Sequence, residues 1–261
     1  MSWSHIAQIA NGNSLDANQT SFVLTTTAAA EVGNVLVMLI AKDNATTGGG
    51  DTDAEITDVV DSVGNVWRRI ANETNAGTVQ TTTACCVWYT QVTIELPSGG
   101  TVTSTFAGTT TGNDATAGII QEFSVTTGNY IAFRGSGSGD VAVLATDAAD
   151  PGAITLGSLT SQEYLWIHGL SAEGESTDAY TWDADYTQFT VAGANTGTAS
   201  TSQHITGGFR VFTGTTDTVD VASDTADRDY AQVLCVLREV ASGAGTVTGT
   251  VQLVNAGSMV G

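Results

Sequence analysis

"VVDSVGNVWRRI", residues 59–70, carries two β-prone runs joined by the turn Ser62-Val63-Gly64-Asn65, and its reading decides the fold. Gly-Asn pairs supply the positive φ angles that tight turns between antiparallel strands require. Asp61 and Ser62 precede the turn, where short polar side chains cap exposed backbone amides. Trp67 follows it and alternates back toward a core. Asp61, Ser62, Gly64, Asn65 and Trp67 therefore read as one corner of a β scaffold. The competing use is a cation or sugar site built on Asp61.

Outward from this corner the pattern recurs. "FVLTTT", "NVLVMLIA", "TACCVWYTQVTIEL", "TVTSTF" and "AGIIQEFSV" are short apolar or alternating runs separated by Gly, Asn, Asp and Ser, the spacing of a β-sandwich. The stretch "TAAAEVGNVLVML" imitates a helix briefly, but Gly33-Asn34 followed by β-branched residues favours a loop entering a strand. Composition agrees. The chain has 261 residues, 43 of them Thr, 30 Gly and 2 Pro, and Thr with Val suits pleated, half-buried surfaces. The expected class is all-β, an antiparallel sandwich.

The second half repeats the order of the first. "NVLVMLIAKDN" (34–44) is matched by "EYLWIHGLSAEG" (163–174), "VWYTQV" (87–92) by "FRVFTG" (209–214), and "AGIIQEFSV" (117–125) by "AQVLCVLREV" (231–240). Two related β units, or two halves of one sandwich, follow: residues 1–134 and 135–240, joined near "RGSGSGD", with 241–261 as a carboxyl-terminal extension or strand arm.

Charge excludes one class of partner. Twenty-seven acidic residues face seven basic ones, a formal net charge of -20, whereas nucleic-acid binding rests on clustered Lys and Arg. The same charge separates copies of the chain unless salt or cations screen it. No run reaches the length of a membrane helix, and the start lacks a basic, then apolar, leader. The expectation is a product of the cytoplasm made without a signal peptide, with no membrane partner.

Chemistry-bearing patterns are sparse. Cys85, Cys86 and Cys235 lack metal spacing and read as small buried hydrophobes, with the adjacent pair pointing to opposite faces. His5, His168 and His204 accompany no nucleophile elbow. Glu163, Glu173 and Glu175 could be imagined as a glycosidase pair, but their separation is undetermined at this level. Asp51, Asp53 and Glu55 alternate in "GGGDTDAEITD" and could offer oxygen ligands to Ca²⁺, the one cofactor considered; a solvated acidic loop is the simpler reading. Tyr180, Trp182, Tyr186 and Phe189 could form a sugar-binding surface, although alternation along a strand buries about half of such rings.

Taken in order, "GNVLVMLIAKDN", "VVDSVGNVWRRI", "VWYTQV" and "IIQEFSV" resemble the β-rich domains of bacteriophage structural proteins and some bacterial surface proteins, over roughly residues 12–240. The resemblance implies a jelly-roll-like sandwich used in virions or on surfaces, and names no ligand. The second half departs from it, with "DADYTQF" (183–189) where the DS-GN hairpin should be. The resulting expectation is a non-enzymatic virion protein, a phage capsid decoration protein or other surface component. Its partners would be capsid or tail proteins and its own copies; a tail or fibre adhesin is the alternative. The tail repeats strand alternation in "TVTGTVQLV", and Val247, Val251, Leu253 and Val254 are its candidate partner contacts.

Overall fold

Strand β3 (Val35–Asp43) is buried at every residue, and its side chains alternate between two separate cores. Val35, Val37, Leu39 and Ala41 enter one, while Leu36, Met38 and Ile40 enter the other. A strand with no polar face has to be covered on both sides. The computed structural model shows what covers it, for residues 3–15, 19–43, 56–75, 83–107, 115–133, 139–148, 150–174, 178–194, 202–223 and 228–242.

The first half holds β1 (Ser4–Ser14), β2 (Ser21–Thr25), β3, β4 (Ile56–Asp61), β5 (Arg68–Thr74), β6 (Thr83–Gln91), β7 (Thr101–Phe106) and β8 (Thr116–Ser124). The second holds β9 (Tyr130–Ala132), β10 (Val141–Ala148), β11 (Ile154–Leu156), β12 (Gln162–Glu173), β13 (Tyr180–Trp182), β14 (Thr187–Gln188), β15 (Ala192–Ala194), β16 (Gln203–Gly214), β17 (Asp217–Val219), β18 (Val221–Ser223) and β19 (Arg228–Val240). The protein is all-β: these strands pair antiparallel, and no helix occurs among the described residues.

Four layers result. The first inner sheet runs β1-β8-β3-β6-β5 and the second β10-β19-β12-β16-β14, with β15 also on β16 and β9 on β19. One outer layer is β2-β7-β4; the other comprises the pairs β11-β17 and β13-β18. The two inner sheets share one order of strands. β3, β6 and β8 hold the positions that β12, β16 and β19 hold in the other, so the three sequence matches between the halves fall on equivalent strands. The junction expected at 134/135 touches residue 134, which lies outside the described residues.

The inner sheets face each other across a central core that draws Val37, Leu39, Val87 and Ile119 from the first half and Leu165, Ile167, Val233 and Cys235 from the second. Burying each such aliphatic side chain contributes about 1.5–3 kcal/mol. Cys85 belongs to this core and Cys86 to the outer one, opposite faces of β6. All three cysteines are free and buried.

Close approach of the layers depends on paired glycines. Gly169 and Gly207 are cross-strand partners in the second inner sheet, and a Cβ on them would stand 3.3 and 2.7 Å from the methyls of Leu39. Gly12 and Gly118 are partners in the first; there a Cβ would stand 2.9 and 3.0 Å from Leu24 of the outer layer. Each bare pair is a socket for a leucine.

Candidate functional site

The corner at residues 59–70 is held by one carboxylate. Asp61 Oδ1 accepts from the amides of Val63, Gly64 and Asn65 at 3.1, 2.7 and 3.0 Å, and Asp61 Oδ2 accepts from Trp67 Nε1 at 3.0 Å. Trp67 is buried in the outer core. Asn65 continues the tie: its Nδ2 donates to the Ile94 carbonyl at 2.9 Å, and its Oδ1 accepts from the amides of Thr93 and Ile94. Ser62 Oγ accepts from the Thr101 amide at 3.2 Å. Gly64 sits at φ 90° with open space where a Cβ would project. With four donors already on Asp61, this corner uses its polar groups internally.

The same device appears at two other Gly-Asn turns. Gly33 and Gly128 also have positive φ, 97° and 83°. Asn34 Nδ2 donates to buried Glu122 at 2.7 Å, and Asn129 Nδ2 donates to buried Glu239 at 2.7 Å. Glu122 lies on β8 and Glu239 on β19, equivalent strands of the two inner sheets. The sequence alone marks Gly33-Asn34 and the two closing strands, but not the Gly128-Asn129 turn, nor that each carboxylate belongs to an asparagine.

The aromatic group at 180–189 faces inward. Tyr186 and Phe189 are buried, and Tyr186 Oη donates to Asp217 at 2.9 Å. Trp182 lies over Gly208 and meets the His168 ring edge-on, with centroids 5.0 Å apart; Tyr180 packs against His204 and Tyr230. Of the three rings expected as a sugar surface, Tyr186 is buried while Tyr180 and Trp182 are half-buried over the second inner sheet, where Gly208 leaves room for Trp182. "DADYTQF" nonetheless forms a turn, in which the Tyr186 amide donates to the Asp183 carbonyl at 3.0 Å.

Titratable groups are buried inside the strands. His168 Nε2 meets Gln232 Oε1 at 2.9 Å, and burial pushes its pKa down to about 3, so the imidazole is neutral. Glu163 and Glu173 stand at opposite ends of β12. Ten residues of strand separate them by about 33 Å, far beyond the spacing of a glycosidase pair. Glu175 lies outside the described residues, as do Asp51, Asp53 and Glu55 and the tail positions Val247, Val251, Leu253 and Val254. Among the described residues no three His, Cys, Asp or Glu side chains are grouped to hold a metal, and no helix is long and apolar enough to cross a membrane.

One side of the molecule is built differently. Edge strand β5 of the first inner sheet lies beside edge strand β10 of the second, with β9 continuing the β10 side along β19. Two grooves follow this seam. One, of about 630 Å³, is lined by Arg69–Glu73 of β5 and by Val141 and Val143 of β10. The other, of about 470 Å³, is lined by Arg68, Tyr89 and the stretch Tyr130–Phe133. Val66, Tyr130 and Val143 are 68, 50 and 45% exposed along it.

No family model, curated protein or solved structure matches the chain.

Proposed function

We propose that this chain is a non-enzymatic structural protein of a virion surface, of the capsid decoration kind, acting through contacts with a capsid or tail protein and with its own copies. The observation that carries the reading is the use made of the motif residues. Asp61, Asn65, Asn34 and Glu122, which lie in the segments that carry the resemblance to phage structural domains, hold corners rigid through buried hydrogen bonds. A scaffold needs such corners and no reactive group.

Topology supports the jelly-roll-like form of this reading. The order β1-β8-β3-β6 against β2-β7-β4 makes the first and last strands of the half neighbours, as an interleaved double Greek key does. Strand β5 departs from it by joining β6 instead of β4. The adhesin alternative needs outward rings at 180–189, and their packing against the second inner sheet favours the structural role. A net charge of -20 suits assembly in a salty medium, where repulsion between copies is screened.

Immunogold labelling with an antibody to the chain should decorate the outside of particles released from producing cells. A chain that sediments wholly apart from particles overturns the reading.

A further inference from the structure

The four edges of the two inner sheets are not equally protected. Strand β1 is broken by two register shifts, between His5 and Ala7 and between Gln8 and Ala10. Strand β5 has one, between Arg69 and Ala71, and carries exposed Arg68 and Arg69. Strands β14 and β15 are two and three residues long. Bulges, charges and brevity are the devices that stop an edge from accepting another strand. Strand β10 has neither bulge nor brevity: eight residues, VAVLATDA, pair with β19 in unbroken register, and Asp147, next to its last residue, is their only charge.

The exposed side of β10 follows from the ladder. The Val236 amide donates to the Asp140 carbonyl at 3.0 Å, so alternation turns the backbone groups of Val141, Val143 and Ala145 away from β19. Val141 and Val143 border the 630 Å³ groove, whose other wall includes Ile70 and Ala71. An incoming strand would find main-chain partners along one line and an apolar trough beside it.

We propose that β10 is an acceptor edge for residues 246–254, "TVTGTVQLV", of a second copy of this chain; the inference deepens the assembly reading above and rests on it. Val247, Val251 and Leu253 fall on one face of that segment, with Gly249 between them, and Thr246, Thr248, Thr250 and Gln252 on the other. The apolar face fits the trough and the threonine face meets water. Direction and reach select a second copy over the chain's own tail. Doubling back after β19, the chain's own segment would run parallel to β10, the less stable pairing. Val240 also stands five residues beyond Cys235, the partner of Val141, a drop of about 16 Å, so the five linking residues 241–245, which span at most about 18 Å, would have to run almost fully extended to reach it. A donor from another copy enters antiparallel with neither restriction. Donor and acceptor are different surfaces, so the contact is head-to-tail.

The test uses two variants of the full chain at about 1 M salt, where the screening length is about 3 Å. Val143→Pro removes an outward amide from the acceptor and leaves the donor intact; Val251→Asp with Leu253→Asp spoils the donor and leaves the acceptor intact. Sedimentation should show open oligomers for the parent chain, a loss of self-association of about tenfold or more for each variant alone, and dimers when the two variants are mixed. A synthetic peptide of residues 246–254 should cap the parent oligomers, which keeps the test decisive if Val143→Pro fails to fold. Oligomers that ignore the peptide and the donor substitutions overturn the acceptor edge while the assembly reading stands. A parent chain that is monomeric in salt and absent from particles overturns both.

Discussion

Leu39 of β3 crosses the central core until its Cδ1 lies 2.7 Å from where a Cβ on Gly207 would be. The same Cβ would stand 2.5 Å from the His168 carbonyl oxygen, so neither neighbour can be met by a simple rotamer change. Gly207→Ala should therefore destabilise by about 1–3 kcal/mol through overpacking. Combined with Leu39→Ala, its cost in a urea titration should be smaller than when made alone, because the two residues share a contact. Strict additivity would mean that the glycine serves only its own backbone.

At the 59–70 corner two effects separate. Asp61→Ala strands three amides and the Trp67 indole N–H, and should cost about 2–4 kcal/mol, since bonds to a charged acceptor contribute about 1.5–3 kcal/mol. Gly64→Ala meets open space, so its cost should be only the conformational one of a left-handed residue, about 1–2 kcal/mol. Gly64→Asn should cost less than Gly64→Ala. Chemical denaturation of the three variants checks the order.

Stability should fall as pH rises through the neutral and mildly basic range. Glu173 is pushed from 4.5 up to about 9, first by burial, then by a hydrogen bond to Asp229 and the charges of Asp43 and Asp229. A raised carboxyl binds its proton more tightly in the folded state, so its contribution is complete below 4.5 and is lost as pH climbs toward 9. His168, pushed down to about 3, acts in the opposite sense but only below 6.5, the range in which the unfolded imidazole takes up a proton. Between about 6.5 and 9 Glu173 is left to act without it. Glu173→Gln should flatten the melting temperature across that window, and an unchanged slope would assign the fall to other groups.

The clamp between Asn34 and Glu122 predicts a local effect. Glu122→Ala removes the acceptor of both Asn34 Nδ2 and the Glu31 amide, and should cost about 1–3 kcal/mol. Faster hydrogen exchange should appear at residues 31–34 before strand β3, because buried strand amides open only with the whole.

Much of this architecture was legible in the chain. The runs at 34–43, 83–91, 163–173 and 229–240 lack a polar face, which says that both sides are covered, but not by what. Nothing in "VLVMLIA" tells an outer hairpin from the facing sheet of the other half. The Asp61 corner was legible because short-range spacing alone sets its bonds. The inward turn of Tyr180, Trp182 and Tyr186 was not, since it depends on Gly208 and Asp217, which are distant in sequence from the rings they receive. An open edge is the hardest feature to read. β10 looks like any alternating strand, and only its place at the end of a sheet gives it free backbone.

The shared central core also has a consequence during synthesis. The strands of the first half are complete at Ser124, yet the face formed by Val35, Val37, Leu39 and Val87 is covered by β12 and β19, the last of which ends at Val240. At about 5–20 residues per second, the nascent chain holds that apolar face uncovered on the ribosome for about 6–23 s. During that interval the uncovered face is the part of the chain most open to association with another copy, until β12 and β19 arrive to cover it.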